Sequence, residues 1–331
     1  MSVAHAPLGA PRRRVAVEVF ALAQRFAISR GAKTEARVVV VELEAEGVRG
    51  RGEAVPYPRY GESVESVVAA IEGLPEALDR TRLQRLLPAG AARNAIDCAL
   101  WDLEAKHARR PVWALAGLSR PGPELCAYTL SLDEPAAMEA QARCHAVRPL
   151  LKIKLGTAHD LDRLEAVRRG APHSRLIVDA NEGWSVDDYR RLCPDLQRLG
   201  VSLVEQPLAA GDDAALRGLP RPVPLCADES CHDRASLAAL RECYDVVNIK
   251  LDKAGGLTEA LALRAAAEAD GYAVMVGCMV ASSLAMAPAV LLAQRALVTD
   301  LDGPLLLAAD RASGLDYSGH RVHPPLPALW G

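Results

Sequence analysis

From Leu125 onward the chain repeats one rhythm. Short apolar runs begin near Leu125, Leu151, Leu176, Ser202, Pro224, Val246, Ala273 and Leu297, in steps of 22 to 27 residues. Between them lie segments rich in Ala, Leu, Arg and Glu, such as Leu161–Arg169 and Thr258–Ala269. A strand, a turn, a helix and a return fit into about 25 residues. Eight such units predict a parallel β/α barrel, whose strands are buried on both faces and read as unbroken apolar runs. A doubly wound open sheet is the competing architecture.

The part before this rhythm reads as α+β. Arg37–Leu43 is Val-rich and predicts a strand. Gly47–Gly52 then turns the chain, and a second strand enters Glu53–Val55 as a hairpin partner. Ile96, Ala99, Leu100 and Leu103 fall at i, i+3, i+4 and i+7, the apolar stripe of a helix. Pro121-Gly122-Pro123 is the strongest breaker and the expected boundary. The expected division is an α+β capping domain over 1–122 and a barrel over 123–307, with a tail of about 308–331 packing back on the cap.

In such a barrel the chemistry sits at the C-terminal strand ends. The second run, Leu150–Leu155, places Lys152 and Lys154 two residues apart, so both ammonium groups share one strand face. Buried lysines are costly unless paired. The third run ends at Asp179, the fourth at Glu205, the fifth at Asp228-Glu229, and the sixth carries Lys250. Three consecutive strands thus deliver carboxylates to one rim, with amines before and after. Oxygen donors of this kind select a hard cation, and Mg²⁺ is the usual one beside an anionic substrate.

Together, Lys152-x-Lys154, Asp179-x-Asn181, Glu205-Gln-Pro, Asp228-Glu-Ser and Ile249-Lys250 before Gly255-Gly256 resemble the enolase superfamily, muconate-lactonizing subgroup. Ala99–Leu103 resembles that family's late capping-domain helix, and Gly50–Ala54 its hairpin. The resemblance implies an α+β cap on a modified (β/α)7β barrel. It implies that Asp179, Glu205 and Asp228 bind Mg²⁺, that Lys154 and Lys250 are acid/base catalysts on opposite faces of the substrate, and that Lys152 supports the substrate carboxylate. Physically, a metal and an ammonium beside a carboxylate stabilise the enediolate formed when its α-proton leaves. Two amines on opposite faces then allow removal on one side and return on the other.

Substrate expectations follow from the remaining likenesses. Asp300-Leu-Asp302 resembles the Asp-x-Asp with which dipeptide epimerases hold a free N-terminal ammonium, and it is expected to lie on one face of an extended segment. Gly277-Cys278-Met279 resembles their seventh-strand sequence. Phe26–Gly31, read as a loop before the first cap strand, and Pro56–Ser63, which includes Tyr60, resemble cap loops of L-Ala-D/L-Glu epimerases. Arg30 is the expected partner of a glutamyl side chain, with Arg25 and Arg59 as rivals. Thr129 is a further contact candidate. The expected reaction is epimerisation of such a dipeptide in murein peptide recycling. N-acylamino acid racemase and o-succinylbenzoate synthase are rivals within the subgroup, and an inactive barrel serving as a binding module is the rival of another class.

Other classes find little support. With 39 Lys and Arg against 42 Asp and Glu, the net charge of −3 supplies no attraction to nucleic acid or anionic membranes. No histidine pair has zinc-hydrolase spacing, and neither a phosphate loop nor a dinucleotide glycine pattern is present. Ser282-Ser283 reads as small-residue packing. The eight cysteines form no Cys-x-x-Cys pair and read as buried apolar residues in a reducing compartment. No apolar segment follows the N-terminal charges, so the cytoplasm is the expected location. A homo-oligomer is compatible with the sequence.

Overall fold

Three antiparallel strands, β1 (Arg12–Ile28), β2 (Gly31–Ala45) and β3 (Val48–Ala54), open a computed structural model that describes residues 10–331. Residues 1–9 lie outside the described residues, and the N-terminal charges Arg12–Arg14 begin β1. β2 is the central strand, and its Val run is buried on both faces. Val39, Val41 and Leu43 pack into one core with Ile96, Ala99 and Leu103, while Val38 and Val40 join the core of the barrel. This two-sided burial explains an apolar run without alternation.

The hairpin turn is tighter than expected. Glu46 and Gly47, at φ 52° and 76°, make a two-residue turn between Ala45 and Val48. Gly50 and Gly52 are therefore strand residues, not turn residues. A Cβ at Gly50 would meet the Ala99 carbonyl oxygen at 2.4 Å, and one at Gly52 would meet that of Ala95 at 2.1 Å. The two glycines let a helix lie directly on the sheet. β1 was not anticipated; it is an edge strand whose Arg12, Arg14 and Glu18 weaken its apolar pattern. Phe26–Gly31 accordingly forms the end of the β1–β2 hairpin, not a loop ahead of the first strand.

The cap continues through α1 (Val64–Glu72), α2 (Arg80–Leu86), α3 (Ala91–Ala108) and α4 (Val112–Leu115). α3 lies between sheet and barrel and buries polar residues as well as apolar ones. Arg93 donates to the carbonyls of Ala254 at 2.7 Å and Gly255 at 3.1 Å, and Asp97 accepts from Thr258 N at 2.9 Å. Leu125 belongs to β4 (Glu124–Leu125), a strand outside the barrel. The first barrel strand, β5 (Tyr128–Leu130), starts three residues later.

The barrel strands then follow in chain order, all parallel: β6 (Leu150–Lys154), β7 (Arg175–Asp179), β8 (Val201–Glu205), β9 (Leu225–Ala227), β10 (Val246–Ile249), β11 (Ala273–Gly277) and β12 (Val298–Asp300). Ala127 N donates to Thr299 O at 2.8 Å and Cys126 bridges to Thr299, which joins the last strand to the first. This closure and the absence of any reversal in strand order decide for the barrel over the open sheet. Ala127, Leu150, Ile177, Leu203, Cys226, Val246, Met275 and Val298, one from each strand or its lead-in, fill the barrel's lower interior.

Helices α5 (Pro135–Cys144), α6 (Asp160–Gly170), α7 (Val186–Arg198), α8 (Leu237–Leu240), α9 (Leu251–Ala254), α10 (Leu257–Ala269) and α11 (Ser283–Leu292) cover the outside. β13 (Arg321–Val322) pairs with β4, and the chain then returns to α3. There the Trp330 indole N–H donates to Cys98 O at 3.0 Å and Arg51 donates to Leu329 O at 2.7 Å. Ser282 and Ser283 do more than pack closely. Ser282 caps α11 and hydrogen-bonds buried Glu53 of β3 (N to Oε1, 2.9 Å), and Ser283 N donates to Asp310 at 3.0 Å. All eight cysteines are free; six are buried, Cys144 is exposed and Cys278 is half-buried. No described helix is long and apolar enough to cross a membrane.

Candidate active site

The strand period sorts β6 as expected. Leu151 and Ile153 enter the core between barrel and helices, whereas Lys152 and Lys154 turn inward and are buried. Lys152 Nζ lies 2.6 Å from Glu205 Oε2, 2.7 Å from Asp300 Oδ2 and 3.2 Å from Asp179 Oδ2. Lys154 Nζ lies 2.6 Å from Asp179 Oδ2, and across the barrel Lys250 Nζ lies 2.6 Å from Asp228 Oδ2. Burial disfavours the Lys152 and Lys250 ammoniums, yet the carboxylates around them raise both pKa values well above the ordinary lysine range.

Asp179, Glu205 and Asp228 are adjacent strand-end residues of β7, β8 and the turn after β9. Each offers a carboxylate oxygen within 4.8 Å of the others'. Burial opposes all three charges. Lys154 and Lys152 nevertheless hold Asp179 low, and Lys250 and Lys253 hold Asp228 low. Glu205 is pushed up, by burial and then by Asp179. Its Oε2 pairs with the Lys152 ammonium at 2.6 Å, and its Oε1 accepts from Asn248 at 2.7 Å. A third buried carboxylate resisting its charge, with an oxygen within 4.8 Å of those of Asp179 and Asp228, fits a divalent hard cation.

A cavity of about 620 Å³ opens above this layer. Arg30, Tyr60, Thr129, Cys278, Asp300 and Asp302 all line it, together with Lys152, Lys154, Asp228 and Lys250. Asp300 ends β12, but Asp302 lies past the strand at φ −84°, ψ 4°, so the pair does not share an extended segment. Both carboxylates still face the cavity because the chain bends after Leu301. Asp302 Oδ2 accepts from Thr129 N at 2.6 Å, and Asp300 Oδ1 is buried without a partner. Tyr60 packs its ring edgewise on His232, at 4.7 Å between centroids. Arg25 is exposed and does not line the cavity.

Several groups escaped the sequence reading. Lys253 is fully buried, 2.6 Å from Asp228 Oδ1, and donates to Asn248 O at 2.9 Å; Asn248 in turn donates to Glu205 Oε1 at 2.7 Å. The signal was its place one helical turn after Lys250. Glu229 and Glu182 clasp the cap: Arg30 contacts them at 2.6 and 2.9 Å, and Arg59 contacts Glu182 at 2.7 Å. Lys33, on β2, also lines the cavity.

Comparison with known proteins agrees with this geometry. Residues 13–117 match the N-terminal domain of the mandelate racemase / muconate lactonizing enzyme family, and residues 136–315 match the enolase C-terminal domain-like family. The L-Ala-D/L-Glu epimerase of Escherichia coli (strain K12) is 47% identical over 94% of this chain and 98% of its own. The N-acetyl-D-glutamate racemase of a Pseudoalteromonas species is 45% identical over 89% and 95%. An enolase family member from Agrobacterium tumefaciens with homology to dipeptide epimerases, solved with sodium and L-Ala-L-Glu, is 52% identical at a TM-score of 0.95, covering 96% of this chain and 99% of that one. The dipeptide epimerase of Enterococcus faecalis V583, solved with Mg and L-Leu-L-Tyr, is 29% identical at a TM-score of 0.88, covering 94% and 96%. With both of its domains matched and its strand-end lysines and carboxylates in register, this chain belongs to the mandelate racemase / muconate lactonizing enzyme family of the enolase superfamily.

Proposed function

We propose that the protein is a Mg²⁺-dependent dipeptide epimerase acting on L-Ala-D/L-Glu. Asp179, Glu205 and Asp228 would hold the metal, which when bound supplies positive charge opposite the substrate's α-carboxylate. Lys152, at the junction of that layer with Asp300, would add a fixed ammonium beside the same carboxylate. Lys154 and Lys250 stand on opposite sides of the barrel mouth. One would remove the α-proton of the C-terminal residue and the other would return a proton to the opposite face. Thr129 and Cys278 would shape the cavity wall, and Tyr60 would close it from the cap.

The observation that carries the dipeptide reading is the pair Asp300 and Asp302, two buried carboxylates facing the cavity, one with an unpartnered oxygen. They suit a free ammonium and oppose an anionic acyl tail. The second reading, an N-acylglutamate racemase, is favoured by the relative of that kind at 45% identity. Both readings share a glutamyl side chain. A screen of L,L-dipeptides and N-acetylamino acids in D₂O decides between them. The expected result is a one-unit mass gain and inversion for L-Ala-L-Glu. Turnover of N-acetylglutamate with none of the dipeptide would sink the proposal.

The same reading places the enzyme in murein peptide recycling in the cytoplasm. It divides the chain into a cap over 1–122 and a catalytic barrel over 123–307, with the tail returning to the cap. Contacts of Trp330 and Leu329 with α3 and β3 support the last point.

A further inference from the structure

Of the three cap cations at the cavity, two are already engaged. Arg30 spends its guanidinium on Glu229 at 2.6 Å, Glu182 at 2.9 Å and the Asn181 carbonyl at 2.6 Å. Arg59 takes both oxygens of Glu182, at 2.9 and 2.7 Å. Either would have to abandon a buried or half-buried carboxylate to receive a new one, leaving that acid unpaired. Together they hook the hairpin end and the Tyr57–Tyr60 turn onto the barrel rim.

The third is Lys33. It sits directly opposite Phe26 in the β1–β2 ladder, so the two side chains share a face, and Ile28, two residues on, extends it. All three line the cavity. Among the described residues Lys33 has no carboxylate partner; the titratable groups it faces are Cys278, Lys154 and Lys250. Burial, with the two ammoniums, lowers its pKa to about 8. An ammonium held in a cavity wall without an acid is stabilised by an anionic ligand group.

The direction also fits. The metal-ligand layer lies at the bottom of the cavity, and Asp300 and Asp302 occupy the β12 side. The cap hairpin is a further wall of the same cavity, open to the reacting side chain of a substrate whose α-carboxylate meets the metal layer and whose ammonium meets Asp300 and Asp302. We infer that Lys33, not Arg30, binds the side-chain carboxylate of the reacting residue and sets the preference for a glutamyl substrate, while Arg30 and Arg59 hold the cap closed. This rests on the glutamyl reading given above.

The test measures kcat/KM for L-Ala-L-Glu against its neutral isostere L-Ala-L-Gln, and for the N-acetyl-L-Glu and N-acetyl-L-Gln pair. Enzymes compared are wild type, Lys33→Met, Lys33→Arg and Arg30→Met. Lys33 is flanked by exposed Ala32, Thr34 and Glu35, so substitution there leaves the core untouched. Lys33→Met is expected to lower the glutamyl substrate roughly 30-fold or more while changing the glutaminyl one less than about threefold. Lys33→Arg is expected to keep most of the preference, and Arg30→Met to lower both members alike. An unchanged Glu/Gln ratio in Lys33→Met, or its collapse in Arg30→Met, overturns the inference. Turnover of the N-acetyl pair alone would refute the dipeptide reading and leave Lys33 to be judged on that pair. Wild-type turnover of neither pair refutes both.

Discussion

Acetylating the N-terminus of L-Ala-L-Glu removes one positive charge and leaves the reacting carboxylate and its α-proton unchanged. The structure sets the size of the effect. Asp300 shares one oxygen with Lys152 at 2.7 Å, and its other oxygen is buried and unpartnered. Asp302 accepts from Thr129 N at 2.6 Å, and burial, reinforced by Asp300, pushes its pKa up to about 6. Two adjacent carboxylates with one shared cation leave a net negative charge for an ammonium to meet. Losing one partner of a desolvated pair costs about 2–5 kcal/mol. The sharing with Lys152 argues for the lower end, so about 2 kcal/mol, or roughly 30-fold in kcat/KM, is expected for the capped dipeptide.

Deuterium incorporation from D₂O, followed by mass spectrometry, reads both compounds in one assay. Asp302→Asn should slow the free dipeptide and narrow the gap. The pH dependence has a definite sign. A carboxyl group with a raised pKa is charged only above about 6, whereas the substrate's α-ammonium stays protonated from pH 5 to about 7. Because kcat/KM reports the free enzyme, the advantage of the free dipeptide should shrink as the pH falls through about 6. Equal turnover of the capped compound, or a gap indifferent to Asp302 and to pH, would refute the ammonium-binding role of the pair.

Three further outcomes are expected. Lys154→Ala and Lys250→Ala should each abolish epimerisation, while the variant keeping the competent base still exchanges the α-proton of one isomer with D₂O; near wild-type epimerisation by both would contradict the two-base assignment. Chelator-treated protein should lose activity and regain it with Mg²⁺, and full activity after metal removal verified by elemental analysis would exclude the metal role of the three carboxylates. Asp252, whose Oδ1 accepts from Val55 N at 3.0 Å and Asn94 at 2.8 Å, has its pKa raised by burial to about 7. A raised carboxyl pKa favours the folded state at low pH, so this contribution to stability is lost as the pH rises from about 4 to 7, by at most about 4 kcal/mol. Urea titrations should show Asp252→Asn flattening that fall, and an unchanged pH slope would refute it.

The barrel and its charged floor were legible because both follow from strand geometry. A strand buried on both faces must be apolar except where it ends at the site, so Asp179, Glu205 and Asp228 interrupt their runs in register whatever lies around them. Lys152 and Lys154 needed only the two-residue period. The cap was less legible because its residues act through partners far along the chain. Arg30 meets Glu182 and Glu229, which lie 152 and 199 positions away, and nothing local to Arg30 announces either contact.

The hairpin shows how one missed element hides a cavity-lining residue. With β1 unrecognised, Phe26–Gly31 reads as a free loop, and its arginine is the natural candidate for an anion. Once Phe26 pairs with Lys33, the segment becomes the end of a two-stranded arm. Its cavity face is then fixed by register, and the face carries an aromatic ring, an isoleucine and an ammonium. The arginine lies at the turn, where it reaches sideways to the barrel rim. Electrostatics then separate the two cations. A guanidinium with two carboxylates at 2.6 and 2.9 Å has its charge already matched, while the ammonium opposite Phe26 faces other ammoniums. A substrate anion lowers the energy of the second far more than that of the first. On the Lys33 proposal, which cap cation reads the substrate depends on strand pairing and on the acids of a distant rim, neither of which residue type alone reveals.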